Sequence, residues 1–144
     1  MGLEHLCDMQ LAYREERAYG GAFVMVRPYG TEEGTGYGEM DGTVTGERLQ
    51  GTVRCVNHPH GRSDGTMLPD LHGVIRTNDG VLVMMTVQGR TVFEGEKGRQ
   101  LLTVIFEAED PRYRWLNTIW CVLEGVITAQ PQPVRIYMCV NELA

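Results

Sequence analysis

Between Gly42 and Gly80 the chain reads as short β-rich runs punctuated by glycine turns, and that pattern constrains its fold most. GTVTGERLQGTV is followed by RCVNHPHGR and then by SDGTMLPDLHGVIRTNDG. Apolar and polar residues alternate with period two, and the Asp79-Gly80 pair stands between two such runs. Alternation bounded by Gly and Asp-Gly turns is the signature of antiparallel hairpins. Three of the four histidines, His58, His60 and His72, lie in this one stretch.

The same style continues on both sides. Strands are expected at Ala22–Arg27, 41–46, 48–56, Thr66–Arg76, Val81–Gln88, Gln100–Ala108, Trp115–Ile127 and Val134–Val140, with YGTEEGTGYGE (29–39) as a glycine-rich loop or hairpin tip. The single candidate helix is Gln10–Ala18. With 144 residues and no visible linker or repeat, the chain is read as a single domain, residues 1–144. About eight or more strands with short links imply an all-β fold, an up-and-down antiparallel barrel or a closely related sandwich.

Charge narrows the partners. The net charge of −6, with basic residues scattered, argues against nucleic acid, because nothing neutralises phosphates. No apolar run approaches the length of a membrane helix, and the N-terminus lacks the pattern of a secretory signal. Cys7, Cys55, Cys121 and Cys139 form no CxxC pair and are expected to be reduced, in a cytoplasmic protein. The expected partners are a small-molecule ligand and a second copy, in a homodimer.

The motif Gly42-Thr43-Val44-x-Gly46-x-x-Leu49-x-Gly51-x-Val53 is followed by Asp64-Gly65-Thr66, Asp70 and Arg76-Thr77-Asn78-Asp79-Gly80. Tyr113-Arg114-Trp115-Leu116-Asn117 and Glu124-Gly125 complete the set. In this order they resemble a bacterial family of barrels catalogued as a domain of unknown function, number 3237. The resemblance implies a calycin-like (lipocalin-like) antiparallel barrel, commonly dimeric, and assigns no activity. The chain departs from the family at Asn57–Arg62, where a Gly-Ala-Asp-Trp-like loop is usual, and at His72, where Arg is frequent.

Several residues can carry chemistry. In the strand Thr66–Arg76, Leu68, Asp70, His72, Val74 and Arg76 share one face. If that face lines the barrel interior, His72 is an acid or base, Asp70 fixes its tautomer and Arg76 holds an oxyanion. If it faces water, the three are a solvated surface. Glu124, in an otherwise apolar strand with Trp120 four residues before it, is a fourth catalytic candidate. Arg54, His58, His60, Met84 and Trp120 are candidate ligand contacts, with Met67 and Met85 as further apolar wall. Tyr113–Asn117 is read as structural, with Asn117 satisfying backbone groups.

The expected function is acid/base work such as isomerisation, elimination or cyclisation, without a cofactor, on an apolar or aromatic metabolite inside the barrel. A non-catalytic carrier or sensor is the alternative. The second alternative is a cupin-like metalloenzyme using His58 and His60: Gly51, His58-Pro59-His60 and Asp64 loosely resemble the first cupin motif, but no convincing fourth ligand follows unless His72 supplies it, and no metal is expected.

Overall fold

The computed structural model of the chain describes residues 1–15, 21–128 and 132–143. Eleven strands follow in order: β1 (Gly2–Tyr13), β2 (Phe23–Val26), β3 (Gly34–Thr45), β4 (Gly51–Asn57), β5 (His60–Gly61) and β6 (Met67–Leu68). They continue with β7 (Asp70–Thr77), β8 (Leu82–Glu94), β9 (Lys97–Ala108), β10 (Cys121–Ile127) and β11 (Gln132–Val140). All pairings are antiparallel. The order β1-β3-β4-β7-β8-β9-β10-β11 returns to β1 and closes an eight-stranded barrel. Strands β2, β5 and β6 are additions: β2 pairs β3, and β5 and β6 bridge β3 to β8 as a lip at one end.

Alternation sets what is inside. Met9 and Leu11, Val53 and Cys55, Leu71 and Ile75, and Val83, Met85 and Val87 point inward, as do Val104, Phe106, Leu123 and Ile136. They pack into one apolar core. Cys7, Cys55 and Cys121 are buried free thiols, each pushed up to about 12 mainly by burial; Cys139 is free and half-buried.

One barrel end is closed by a short 3₁₀ helix, Arg114–Thr118, whose Leu116 is fully buried. Asn117 straps it to β9: its Nδ2 donates to the Ala108 carbonyl (2.8 Å), and its Oδ1 accepts from the Ala108 amide (2.6 Å). Asp79, in the β7–β8 turn, accepts from Thr77 and from the Tyr113 hydroxyl, and it pairs with Arg112 at 3.0 Å. Arg48 lies over the Trp115 ring, 3.7 Å from its centroid. The Asn-Asp-Gly turn and the Tyr-Arg-Trp-Leu-Asn run are thus two halves of one clasp.

Four element expectations need correction. Gln10–Tyr13 belongs to strand β1, not to a helix; the end of the expected helix lies outside the described residues. Residues 34–39 are strand, not loop, because Gly36 and Gly38 lie under rings. A Cβ at Gly36 would come within 2.6 Å of Phe23, and one at Gly38 within 2.5 Å of Tyr13. Thr66–Arg76 is broken at the buried Pro69 into β6 and β7. Trp115–Ile127 is the 3₁₀ helix followed by a strand that begins only at Cys121. No helix among the described residues is long and apolar enough to cross a membrane.

Leu116→Ala leaves a hole under the cap and should lower unfolding free energy by about 2–5 kcal/mol. Asn117→Ala strands two backbone groups and should cost about 1–3 kcal/mol. Urea unfolding midpoints check both, and a loss well below these ranges would mean that the cap is dispensable.

Candidate functional site

Strand parity, decided by the core, puts the expected catalytic face on the outside. Leu71 and Ile75 occupy the interior, so Asp70, His72, Val74 and Arg76 project outward. His72 Nε2 lies 3.1 Å from Asp70 Oδ1, so the imidazole–carboxylate pair exists, but the His72 side chain is 64% exposed. Gln88 Nε2 donates to the same Asp70 oxygen. Arg76 is exposed on the same face. The interior position expected for these residues is therefore corrected: burying an acid, an imidazole and a guanidinium in a small apolar barrel would cost more than exposing them.

The other candidates scatter. Arg54 is on the outer wall, paired with Asp41 at 3.1 Å. His58 and His60 are exposed beside the lip. Among the described residues no three His, Cys, Asp or Glu side chains gather closely enough to hold a metal ion. Met85 is in the core, Met67 half-buried at the lip, and Met84 exposed. Trp120 precedes β10 and is 54% exposed, so it walls no interior pocket.

Glu124 also faces outward, and the outer wall around it is organised. Cross-strand register places Arg135 and Leu101 on either side of it, and Asp8 beyond Arg135. The Tyr137 hydroxyl donates to Glu124 Oε1 at 2.8 Å. Arg135 Nε donates to Asp8 Oδ1 at 3.2 Å, and His5 Nε2 meets that oxygen at 2.8 Å. The His5 and Tyr137 rings meet edge to face, 6.0 Å apart.

A β-bulge in β1 makes this grouping possible. His5 and Asp8, three apart, would point to opposite faces of a regular strand. The register shifts between His5 and Cys7, and Leu6 and Cys7 are both buried, so Leu6 is the extra residue and both polar side chains emerge outside.

Two adjoining hollows share Glu124 and Leu101. One, of about 630 Å³, is lined by Asp8, Gln10, Arg99, Leu101, Glu124 and Arg135 among others. The other, of about 360 Å³, adds Leu3, Thr103, Val122 and Tyr137. Leu101 is 73% exposed on the ridge between them. The wall thus offers a line of proton donors and acceptors beside an apolar shelf. The hydrogen bond from His5, reinforced by Arg135, holds the Asp8 carboxyl below its usual value. Tyr137 and Asp8 hold the Arg135 guanidinium above its own.

Four members of this group, His5, Asp8, Arg135 and Tyr137, were not singled out by sequence. The available signal was the alternation of β11, where Arg135 and Tyr137 interleave with Val134 and Ile136. For His5 and Asp8 the bulge hid it.

The family model described as "Protein of unknown function (DUF3237)" matches residues 1–140. The chain belongs to the DUF3237 family. No curated protein matches it. Among solved structures it is similar to a β-barrel-like protein from Acinetobacter baumannii, at 18% identity and TM-score 0.82, covering 95% of this chain and 94% of that one. A protein of unknown function from Clostridium acetobutylicum matches at 15% identity and TM-score 0.81, over 97% and 100%. A structure described as an enzyme from Penicillium herquei matches at 18% and 0.74, over 95% and 92%. At these identities the DUF3237 chain shares the fold with them.

Asp8 gives a pH prediction. A carboxyl whose folded value is depressed adds stability above its unfolded value, near about 4, and loses it as pH falls through the folded value. Asp8→Asn should therefore be less stable than the parent at neutral pH, with the gap shrinking on acidification below about pH 4. Thermal unfolding across pH reads this, and a pH-independent gap would remove Asp8 from the ion network.

Proposed function

We propose that this DUF3237 protein is an acid/base enzyme for an apolar or aromatic small molecule bound on the outer wall of the barrel. The 2.8 Å contact of Tyr137 with Glu124, at the edge of the apolar shelf, carries the reading. Glu124 is the base that takes a proton from substrate, and Tyr137 is the donor that supports the charge left on an oxygen. Arg135, opposite Glu124 and two residues from Tyr137 on β11, balances the developing negative charge. Isomerisation, elimination and cyclisation all reduce to such proton transfers. The Penicillium herquei protein, described as an enzyme, makes catalysis on this fold a reasonable expectation. A carrier function would use the same shelf, since core side chains occupy the barrel centre.

The reading includes a homodimer. A groove on a convex wall leaves a ligand open to water, and Leu101 and Leu3 are exposed around it. Glu124, Leu101 and Arg90 lie in one cross-strand row, so two rows related by a two-fold axis set opposite charges against each other around apolar centres. A second copy would enclose the groove and exclude water from it.

The test begins with a thermal-shift screen of aromatic and hydroxylated polycyclic compounds, followed by assays for conversion. Glu124→Gln and Tyr137→Phe should bind the hits and turn them over ~10²–10⁴-fold more slowly, while His72→Gln stays active. Unchanged turnover in both groove variants would sink the enzyme reading, and binding without conversion in the parent would favour the carrier. Sedimentation should give a dimer that Leu101→Glu dissociates; a concentration-independent parent monomer would overturn the dimer.

A further inference from the structure

At the barrel end opposite the cap, the lip encloses a separate hollow of about 450 Å³. Phe23, Met25 and Arg27 alternate along β2 and its extension, so they share a face that forms one wall. Met67 and Phe93 form the facing wall. The floor is Gly61, where the Met25 and Met67 side chains converge: a Cβ there would lie 2.9 Å from Met25 Cε and 3.3 Å from Met67 Sδ. Two thioethers and two rings make an adaptable, polarisable bed for an apolar group.

The rim carries charge of both signs. Arg62 is held by Asp64 through two hydrogen bonds. Arg27 and Glu32, both exposed, also line the hollow, and among the described residues neither side chain has a hydrogen-bond or ion-pair partner, each other included. Both are seated on glycines: the Arg27 stem passes within 3.0 Å of where a Cβ at Gly34 would stand, and the Glu32 carbonyl within 3.1 Å of one at Gly61. A ligand complementary to this rim and this bed carries a carboxylate for Arg27, an ammonium for Glu32 and a bulky apolar arm.

We propose that the lip is a second small-molecule site, distinct from the Glu124 groove, which takes a free amino acid with a large apolar side chain. The test is methionine-methyl NMR on the full chain, with L-phenylalanine as probe beside hydrocinnamate, which lacks the ammonium, and phenethylamine, which lacks the carboxylate. L-phenylalanine should shift the Met25 and Met67 methyls saturably, and each truncated probe should bind about fivefold more weakly. Arg27→Gln should abolish the preference over phenethylamine, and Glu32→Gln the preference over hydrocinnamate, both with unchanged far-UV circular dichroism. Glu124→Gln should leave all three affinities alone. The site is overturned if L-phenylalanine moves neither methyl up to its solubility, if the three probes bind equally, if neither rim variant changes the ranking, or if Glu124→Gln abolishes binding.

Discussion

The sheet closes through β1, which pairs with β3 on one side and β11 on the other, and this closure fixes which face of every strand is inside. An open sheet could leave one face wet and adjust its register; a closed small barrel has an interior only as wide as its side chains can fill. Once Met9, Ile75, Val83, Val104 and Ile136 fill it, each neighbouring residue along those strands is committed to the outside. The polar chemistry of β7, β10 and β11 is outside for that reason. Asp70 and His72 keep their pairing, but in water, where an exposed contact of this kind contributes little.

The bulge at Leu6 is the one place where β1 escapes strict alternation, and the Glu124 wall depends on it. Without the extra residue, His5 or Asp8 would point into the apolar core. With it, Asp8 reaches Arg135 while His5 meets the Tyr137 ring edge to face, and the strand still delivers Cys7 and Met9 to the interior. The same feature therefore serves packing and electrostatics, which is common where a sheet builds a site on its own surface.

Much of the fold was legible in the sequence. Period-two runs and Gly turns gave the all-β class, the Asp79-Gly80 hairpin and the body of β4, β8, β9 and β11, and Asn117 does bind backbone. The failures share a cause: local pattern cannot see which glycine lies under a ring or which aromatic run caps an end. Gly36 and Gly38 look like a flexible loop until Phe23, Pro59 and Tyr13 are placed over them. The apolar letters Trp115-Leu116 and Trp120-Cys121 look continuous, although the first pair turns under the barrel and the second starts a strand. For the site, Glu124 was visible as a carboxylate among apolar neighbours. Its partners on β1 and β11 were not, since pairing the first strand with the last is a long-range property of closure.

A filled interior changes where a barrel of this size can acquire function. The capped end holds the fold: Leu116, Asn117 and Asp79 close it by packing and hydrogen bonds. The remaining surfaces are the wall, where polar residues face water by default, and the lip, where three short strands leave the barrel path. On the wall, binding must come from charge order and a cover, since curvature gives little enclosure. At the lip, glycines let methionine and phenylalanine side chains collapse onto backbone, giving depth without opening the core. The ligands proposed for the two places differ accordingly, an extended apolar molecule with acidic protons on the wall and a compact zwitterion at the lip.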